Sequence, residues 1–446
     1  MKLTRQIKPT TVRRKILVLL AGFSLVSYVL RTNISVAAKF MMPDLGLSEI
    51  QIGQVFSAFM LGYAIFQIPG GILGDRKGPR LVLTLAALLW GAMTLLTGLV
   101  PGLIVTSGLG AFVALIMMRF TLGAAEAVTY PVAARAVANW IPYSERTFAN
   151  AIVIAGATFG MAFTPPLISW LMVTWGWRET FFVTSVLGFF IAFVWRWYAA
   201  DQPEKHVKIS DAELITIYAG KPEQSQTPPA SWWKLLRNKN IGLICLSYFL
   251  DSFVLFIFVF WFYLYLVEER GFSALKGGVF NSLPYIFAMV MIPLCGHLCD
   301  YVSARWGRAR SRRAFAVACL TLSATFLVFG TREAAPIPAI IYLSLSVGFL
   351  MSTEGPFWSS MVEAAGLRAG TAGGIMNTAG NIGGVVSTAL APILVKQFGW
   401  FATFALCSTL AIVAGLIWFF IRVDQSAEEA VAARPAELGV SEASGG

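Results

Sequence analysis

Long apolar stretches separated by short polar segments dominate the pattern of this sequence. Read for runs of about 20 residues, the length at which a helix crosses a bilayer, the chain contains twelve such stretches. They lack the strict alternation of outer-membrane β-strands. Their centres lie near residues 27, 63, 90, 118, 160, 188, 252, 287, 321, 347, 382 and 410. The pattern predicts an all-α membrane protein with twelve transmembrane helices.

Composition and charge placement agree with this topology. Hydrophobic residues make up 57% of the chain and charged residues only 13%, which excludes an ordinary soluble globule. Lys and Arg concentrate before span 1, after span 2, in the central polar segment and after span 8, all on one side of a twelve-span chain. By the positive-inside rule, both termini are expected in the cytoplasm. The net charge of +11 therefore reflects topology, and no nucleic-acid partner is expected.

Cysteine and histidine suggest no cofactor or metal site. The five cysteines lie in or beside spans and indicate no disulfide framework. Cys295 and Cys299 bracket His297, but packing at a helix end explains them better than a metal. His206 lies in a charged loop and is expected in water. No G-x-S-x-G, H-E-x-x-H or P-loop motif is present, so we do not expect an enzyme.

The two halves of the chain repeat each other. GGILGDRKGPR after span 2 is echoed by CGHLCDYVSARWGRARSRR after span 8, which aligns Gly71 with Gly296 and Asp75 with Asp300. A second echo ends in Gly-Trp at Trp177 and at Trp400. The repeat predicts two pseudo-symmetric six-helix bundles, 1–199 and 239–423, a cytoplasmic linker at 200–238 and a disordered tail at 424–446. Such repeated halves suit alternating access.

Four charged residues lie inside apolar stretches: Arg31, Arg119, Glu126 and Glu354. A charge at that depth costs roughly 3 kcal/mol on insertion scales, so it faces a protein interior or a wet cavity. A pore or carrier for a charged solute is therefore the first hypothesis. Arg119 and Glu126, seven residues apart, lie on one helix face about 10 Å apart along the axis.

The GGILGDRKGPR turn resembles the signature of the major facilitator superfamily. The resemblance implies a cytoplasmic gate formed by Gly71, Asp75, Arg76, Gly78, Glu145, Arg146 and, from the second copy, Asp300. YVLRTNISVA, RFTLGAAEAVTYPVAARAVANWIPYSER and GGIMNTAGNIGGVVS resemble segments of its anion:cation symporter branch. That branch includes sugar-acid carriers and sialin-like transporters.

The branch resemblance implies proton-coupled symport of a small organic anion. Arg31 offers a charged fork suited to a carboxylate, and a helix-packing ion pair with Glu126 is the alternative. Glu126 is assigned the coupling proton, because burial and a neighbouring arginine act on it in opposite directions. Arg119 is expected to modulate Glu126, although a standing salt bridge between the two is a rival interpretation.

One position departs from the branch. Many of its sugar-acid carriers have an aspartate before the span 1 arginine, where this chain has Leu30. We therefore expect one proton per monovalent anion and nearly electroneutral transport. Asp251 and Glu354 could supply a second proton site, or could be helix-end acids or, for Glu354, a lock between bundles.

The remaining candidates for substrate binding are polar or aromatic: Tyr28, Tyr63, Gln67, Asn281, Trp358, Ser359, Asn377 and Asn381. Ordinary interhelical hydrogen bonding is the alternative for each. Together they favour a polyhydroxy acid over an aromatic acid, because hydroxyls can satisfy buried amides. A potential-driven uniporter, an exchanger or a non-transporting membrane sensor remains open. The expected partners are an organic anion, protons and the lipid bilayer, for a monomer in a bacterial inner membrane.

Overall fold

The computed structural model describes residues 9–219, 235, 237–365 and 369–422. The first half forms six membrane-crossing helices, which we call spans. Span 4 is interrupted after Glu126. The bounds are Val12–Leu45 for span 1, Glu49–Lys77 for span 2, Pro79–Leu99 for span 3, Gly108–Glu126 and Thr129–Trp140 for span 4, Arg146–Trp175 for span 5 and Trp177–Tyr198 for span 6.

The second half repeats this arrangement. Its bounds are Lys239–Leu264 for span 7, Ala274–Trp306 for span 8, Arg308–Arg332 for span 9, Pro336–Met351 and Glu354–Ala365 for span 10, and Ala369–Ile417 for the remainder. The last helix breaks at Gly399, where φ is 78° and ψ is 172°, which separates span 11 from span 12. The predicted all-α, twelve-helix membrane fold is confirmed: eleven described helices qualify as spans by length and composition, and the last of them contains two.

The repeat is visible in the backbone. Gly78 and Gly307, each at the turn into the following span, both have φ of 83°. Gly176 and Gly399, the glycines of the two Gly-Trp echoes, have φ of 98° and 78°. Only glycine adopts this region at little cost, so the same sharp turn is encoded at matching places in both halves.

The two bundles meet through span 2 against span 11 and span 5 against span 8. Ser57 Oγ donates to the Val385 carbonyl over 3.0 Å, and Ser282 Oγ donates to that of Ala162. A Cβ at Gly53 would lie 2.8 Å from Pro392. These contacts lie toward the end where span 1 turns into span 2, which we call the closed end.

The opposite end, where residues 12 and 417 lie, is called the terminus end. Here the structure is looser between the bundles. Among the described residues, the hydrogen bonds and ion pair between the bundles join Ser57 to Val385, Ser282 to Ala162 and Lys39 to Glu268, and none of them lies at this end. The molecule is therefore closed at one end and open toward the other.

The predicted linker is partly structured. It contains a short helix, Asp211–Tyr218, whose Glu213 carboxylate accepts the backbone N–H groups of Val12 over 3.2 Å and Arg13 over 3.0 Å. Glu213 thus caps the first turn of span 1, where backbone donors have no helical partner. The tail at 424–446 lies outside the described residues.

The expectation that His206 lies in water is wrong. Its ring is buried against Trp140 and Tyr198, and its Nε2 lies 3.0 Å from the Tyr198 carbonyl oxygen. Burial lowers the pKa of His206 below its usual value of 6.5. The charged composition of this loop gives no sign that His206 packs against aromatic residues at the ends of span 4 and span 6.

Candidate functional site

A buried ion pair lies at the centre of the N-terminal bundle. Arg31 Nη2 is 2.9 Å and Nε is 3.0 Å from Glu126 Oε2, and the two side chains are 3% and 0% exposed. Glu126 ends the first segment of span 4, five residues before Pro131, which has no N–H to bond to the residue 127 carbonyl. The second carboxylate oxygen, Oε1, is buried and has no hydrogen-bond partner within the described part of the chain. Glu126 therefore has one oxygen on the arginine and one free.

Aromatic rings hold the Arg31 guanidinium in place. Its carbon lies 4.5 Å from the centre of the Tyr28 ring, 4.8 Å from that of Tyr63 and 5.1 Å from that of Phe59. Cation–π contacts of this kind strengthen when the cation is removed from water. The rings therefore fix a permanently charged fork in a position where a carboxylate can bind it.

Arg119 lies elsewhere in the same bundle. Its Nη1 donates to the Leu30 carbonyl over 3.2 Å and to Asn33 Oδ1 over 3.4 Å, and its guanidinium lies 5.4 Å from the Phe181 ring centre. Its Nε and Nη2 atoms are buried without hydrogen-bond partners. Within the described residues, no carboxylate lies in salt-bridge range of Arg119. In this state it makes no salt bridge with Glu126.

The C-terminal bundle contributes two acids. The Tyr248 hydroxyl donates to Glu354 Oε1 over 3.0 Å, and Trp358 Nε1 donates to Oε2 over 2.9 Å. Thr353 Oγ1 donates to Asp251 Oδ1 over 3.1 Å. Both acids lie at the interruption of span 10, where Glu354 begins the second segment. Neither has a salt-bridge partner among the described cations.

Tyr28 brings the two halves together. This N-terminal side chain lies close enough to interact electrostatically with Glu354, with Tyr248 and with Tyr285 of the C-terminal bundle. The Arg31–Glu126 pair and the Glu354 cluster therefore lie on opposite sides of one central region. That region is where an alternating-access carrier would hold its substrate.

The amide candidates differ in how well they are satisfied. Gln67 Oε1 and Asn281 Oδ1 are buried, and neither has a hydrogen-bond partner among the residues that the structure describes. Asn381 Nδ2, in contrast, donates to the Asn377 carbonyl over 2.7 Å, a bond within span 11. Ser359 and Asn377 are half-buried. Gln67 and Asn281 therefore retain capacity for a ligand.

The predicted gate residues at the terminus end do not form one network here. Asp75 pairs with Arg135 over 3.4 Å, while Glu145 pairs with Arg13 over 3.4 Å. Arg146 donates to the carbonyls of Ala138 and Ile141. Arg76, Asp300 and Asp75 are exposed, Gly71 and Gly78 are partly exposed. The joint network stays a prediction for a state in which this end is closed.

Sequence reasoning missed several aromatic residues of the central region. They are Phe59, Tyr130, Tyr248 and Tyr285. The Tyr130 hydroxyl is buried beside Ser24, Tyr28 and Arg31. Its position four residues after Glu126, one helical turn, was the available signal; Tyr248 similarly precedes Asp251 by three.

Two bundles, a closed end and a central charged region are features of a membrane transporter. The model of the Major Facilitator Superfamily matches residues 20–388 and 304–443, and the chain belongs to this family. It is 35% identical to a probable sulfoacetate transporter of Cupriavidus necator, with 87% of this chain and 88% of that protein covered.

Other relatives carry related names. The chain is 30% identical to a hexuronate transporter of Bacillus subtilis, covering 89% of this chain and 91% of the relative. It is 29% identical to a D-galactonate transporter of Escherichia coli, covering 93% and 96%. Among solved structures, an inward-facing, unoccupied bacterial homologue of the human lysosomal transporter Spinster has a TM-score of 0.75 at 16% identity, covering 95% of this chain and 98% of its own. That likeness concerns the fold.

Proposed function

We propose that this protein is a proton-coupled symporter of a small organic anion, a sugar acid such as a hexonate or hexuronate. The observation that carries the proposal is the buried Arg31–Glu126 pair, in which the second oxygen of Glu126 has no partner. If the ion pair were purely structural, its remaining polar atoms would be expected to have hydrogen-bond partners.

Competition for Arg31 supplies the coupling. When a substrate carboxylate binds the Arg31 fork, Glu126 loses its counter-ion in a buried position. A buried, uncompensated carboxylate costs several kcal/mol, and a proton on Glu126 removes that cost. The anion and the proton therefore bind together and leave together. Arg119, in the same bundle, modulates the charge of Glu126 without contacting the substrate.

Movement of the bundles completes the cycle. With both termini in the cytoplasm of a bacterial cell, the terminus end is cytoplasmic and the present state faces inward. In the outward-facing state, the two bundles separate at the closed end and come together at the terminus end. Asp75, Arg76, Gly78, Glu145, Arg146 and Asp300, with Gly71, would then hold the terminus end. The exposure of Asp75 leaves it free to change partners.

A hydroxylated substrate suits the unsatisfied groups. Gln67 and Asn281 each have a buried amide oxygen without a partner among the described residues, and sugar-acid hydroxyls can donate to both. Tyr63, Trp358, Ser359, Asn377 and Asn381 complete the proposed lining. The names of the hexuronate and D-galactonate relatives support this class. Sulfoacetate, named for another relative, lacks hydroxyls and is the informative competitor.

The test is uptake into proteoliposomes under an inward proton gradient. A panel of labelled hexonates, hexuronates, sulfoacetate and aromatic acids is compared for wild type, Glu126→Gln and, as control, Glu179→Gln at the exposed start of span 6. We expect gradient-driven accumulation in wild type and the control. Glu126→Gln should lose accumulation but keep anion counterflow. Accumulation against a gradient by Glu126→Gln would refute the assignment of the coupling proton.

A further inference from the structure

A groove on the outside of the N-terminal bundle has no part in the proposed transport site. It lies at the terminus end, between the first turns of span 1 and the last turn of span 6, and has a volume of about 460 Å³. Its floor and walls include Val18, Leu19, Val194, Trp197 and Tyr198, and its rim carries Arg14 and Lys15. The groove thus joins an apolar trough to a basic rim.

The basic residues at this groove are free to bind an anion. Arg14, Lys15 and the nearby Lys208 are exposed, and none has a salt-bridge partner within the described ranges. Lys15 lies 6.0 Å from the Tyr198 ring centre and Lys208 lies 6.0 Å from that of Trp197. These two contacts hold both ammonium groups at the rim.

The buried acid at the start of span 1 does not neutralise them. Glu213, from the short helix that follows Lys208, is fully buried, and its two oxygens accept the backbone N–H groups of Val12 and Arg13. Its charge is thus directed at the start of span 1 and away from the groove. An excess of positive charge remains at the rim.

The trough faces the bilayer and not the central region. Val18 is 68% exposed and Trp197 is 70% exposed, on helices that cross the membrane. A Trp-Tyr pair beside basic residues at a helix end marks the boundary between headgroups and acyl chains. A lipid molecule is therefore the ligand that reaches both the apolar trough and the basic rim.

We propose that this groove is a binding site for an anionic phospholipid. Arg14, Lys15 and Lys208 hold the headgroup phosphate, and an acyl chain lies along Val18, Leu19 and Trp197. A soluble phosphate compound would leave the trough unused, and a zwitterionic lipid would leave the excess positive charge uncompensated. Basic pockets between transmembrane helices bind anionic headgroups in this way. The bound lipid would connect span 1, span 6 and the start of the linker.

The test is a titration of the purified full-length protein with phosphatidylglycerol, followed by native mass spectrometry. Phosphatidylethanolamine and inorganic phosphate serve as the comparison probes. The variant Arg14→Gln/Lys15→Gln/Lys208→Gln removes the three cations. The control Arg308→Gln/Arg310→Gln/Lys239→Gln removes the same charge from exposed positions at the same end of the C-terminal bundle.

We expect wild type and the control to retain phosphatidylglycerol in preference to phosphatidylethanolamine. The triple variant should bind phosphatidylglycerol about a hundredfold more weakly, since each cation near an anionic lipid contributes about fivefold. Equal affinity in the triple variant and wild type would overturn the proposal. Competition by inorganic phosphate at the same concentration as the lipid would overturn it as well, in favour of a soluble-anion site. If the triple variant does not fold, Lys208→Gln alone, which lies outside the spans, should weaken binding about fivefold.

Discussion

The two halves of the central region treat buried acids in opposite ways. In the N-terminal bundle, Glu126 faces Arg31, and one of its oxygens is unused. In the C-terminal bundle, Glu354 is held by a tyrosine hydroxyl and an indole N–H, and Asp251 by a threonine. In a charge pair, a substrate anion can replace the carboxylate on the arginine. A carboxylate held by neutral donors has no counter-ion for which a substrate anion could compete. This difference supports the proposal that the first half binds the anion and couples it to the proton.

The largest effect is expected from Arg31. Arg31→Gln removes the anion's counter-charge and leaves Glu126 unpaired, so substrate affinity should fall at least about a hundredfold, as for loss of one partner of a buried charge pair. Arg31→Lys keeps the charge but loses the bidentate fork, so substrate affinity should fall about tenfold. Equilibrium binding of labelled substrate to purified protein measures both.

Two controls separate binding from folding. Arg135→Lys, in the exposed pair with Asp75, should leave affinity unchanged. Arg31→Gln/Glu126→Gln removes both buried charges and should recover thermal stability without recovering binding. Strong substrate binding by Arg31→Gln would mean that the arginine is a packing element.

Leu30→Asp should change the electrical character of transport. The new carboxylate would lie beside Arg119, which donates to the residue 30 carbonyl and has two unpaired nitrogens. A second proton per anion would then move one net positive charge inward. An inside-negative potential of 100 mV would raise steady-state accumulation about 50-fold, because one charge is worth about 2.3 kcal/mol.

Transport currents on supported membranes measure this change, with Leu30→Asn as the uncharged control. Wild type should give almost no current at zero pH gradient. A large current in wild type would show that the present chain already couples more than one proton per monovalent anion.

The acids of the C-terminal half should matter less. Glu354→Gln and Asp251→Asn each keep one oxygen that accepts a hydrogen bond. Each hydrogen bond that is lost should cost about 1 kcal/mol of stability. Uptake rates should fall less than about tenfold, and proton-driven accumulation should persist. The proteoliposome assay measures both. Loss of coupling with intact counterflow in either variant would move a proton site into this half.

The smallest effect concerns the ion pair that crosses the closed end. Lys39 Nζ lies 2.6 Å from Glu268 Oε1, joining span 1 to the π-helical turn that ends span 7, and both residues are partly exposed. Exposed pairs contribute about 0.2–1 kcal/mol. Lys39→Gln should therefore shift the population open at this end by about 1.4- to fivefold, as measured by distances between spin labels placed across it.

Arg178→Gln is the matched control for this pair. Arg178 pairs with Asp44 at the same end but within one bundle, so its loss should leave the distance distribution unchanged. An equal shift in both variants would attribute the effect to local loosening.

The sequence predicts the spans well because each is a long apolar run that the bilayer requires. It also places Arg31, Glu126 and Glu354 in the membrane, since a charge in an apolar run is visible without a structure. Gly399 illustrates a finer case: the apolar run continues through the last two spans, yet the repeated Gly-Trp marks the break between them.

Pairing between distant residues could not be predicted in the same way. Asp75 has adjacent arginines in its own loop but pairs with Arg135. Lys39 pairs with Glu268, which lies 229 positions away along the chain. Such choices depend on how the spans pack. For Tyr130 and Tyr248 the sequence offers only their spacing of about one helical turn from Glu126 and Asp251, because composition does not reveal which face of a span meets the centre.

Proton uptake on substrate binding tests the central claim most directly. Purified protein in weakly buffered solution near pH 7 is mixed with saturating sugar acid, and a pH-sensitive dye reports the protons taken up per anion bound. We expect about one proton for wild type and for Glu354→Gln, because a single carboxylate loses its counter-ion. We expect none for Glu126→Gln, which should still bind the anion. Proton uptake by Glu126→Gln equal to that of wild type would contradict the account.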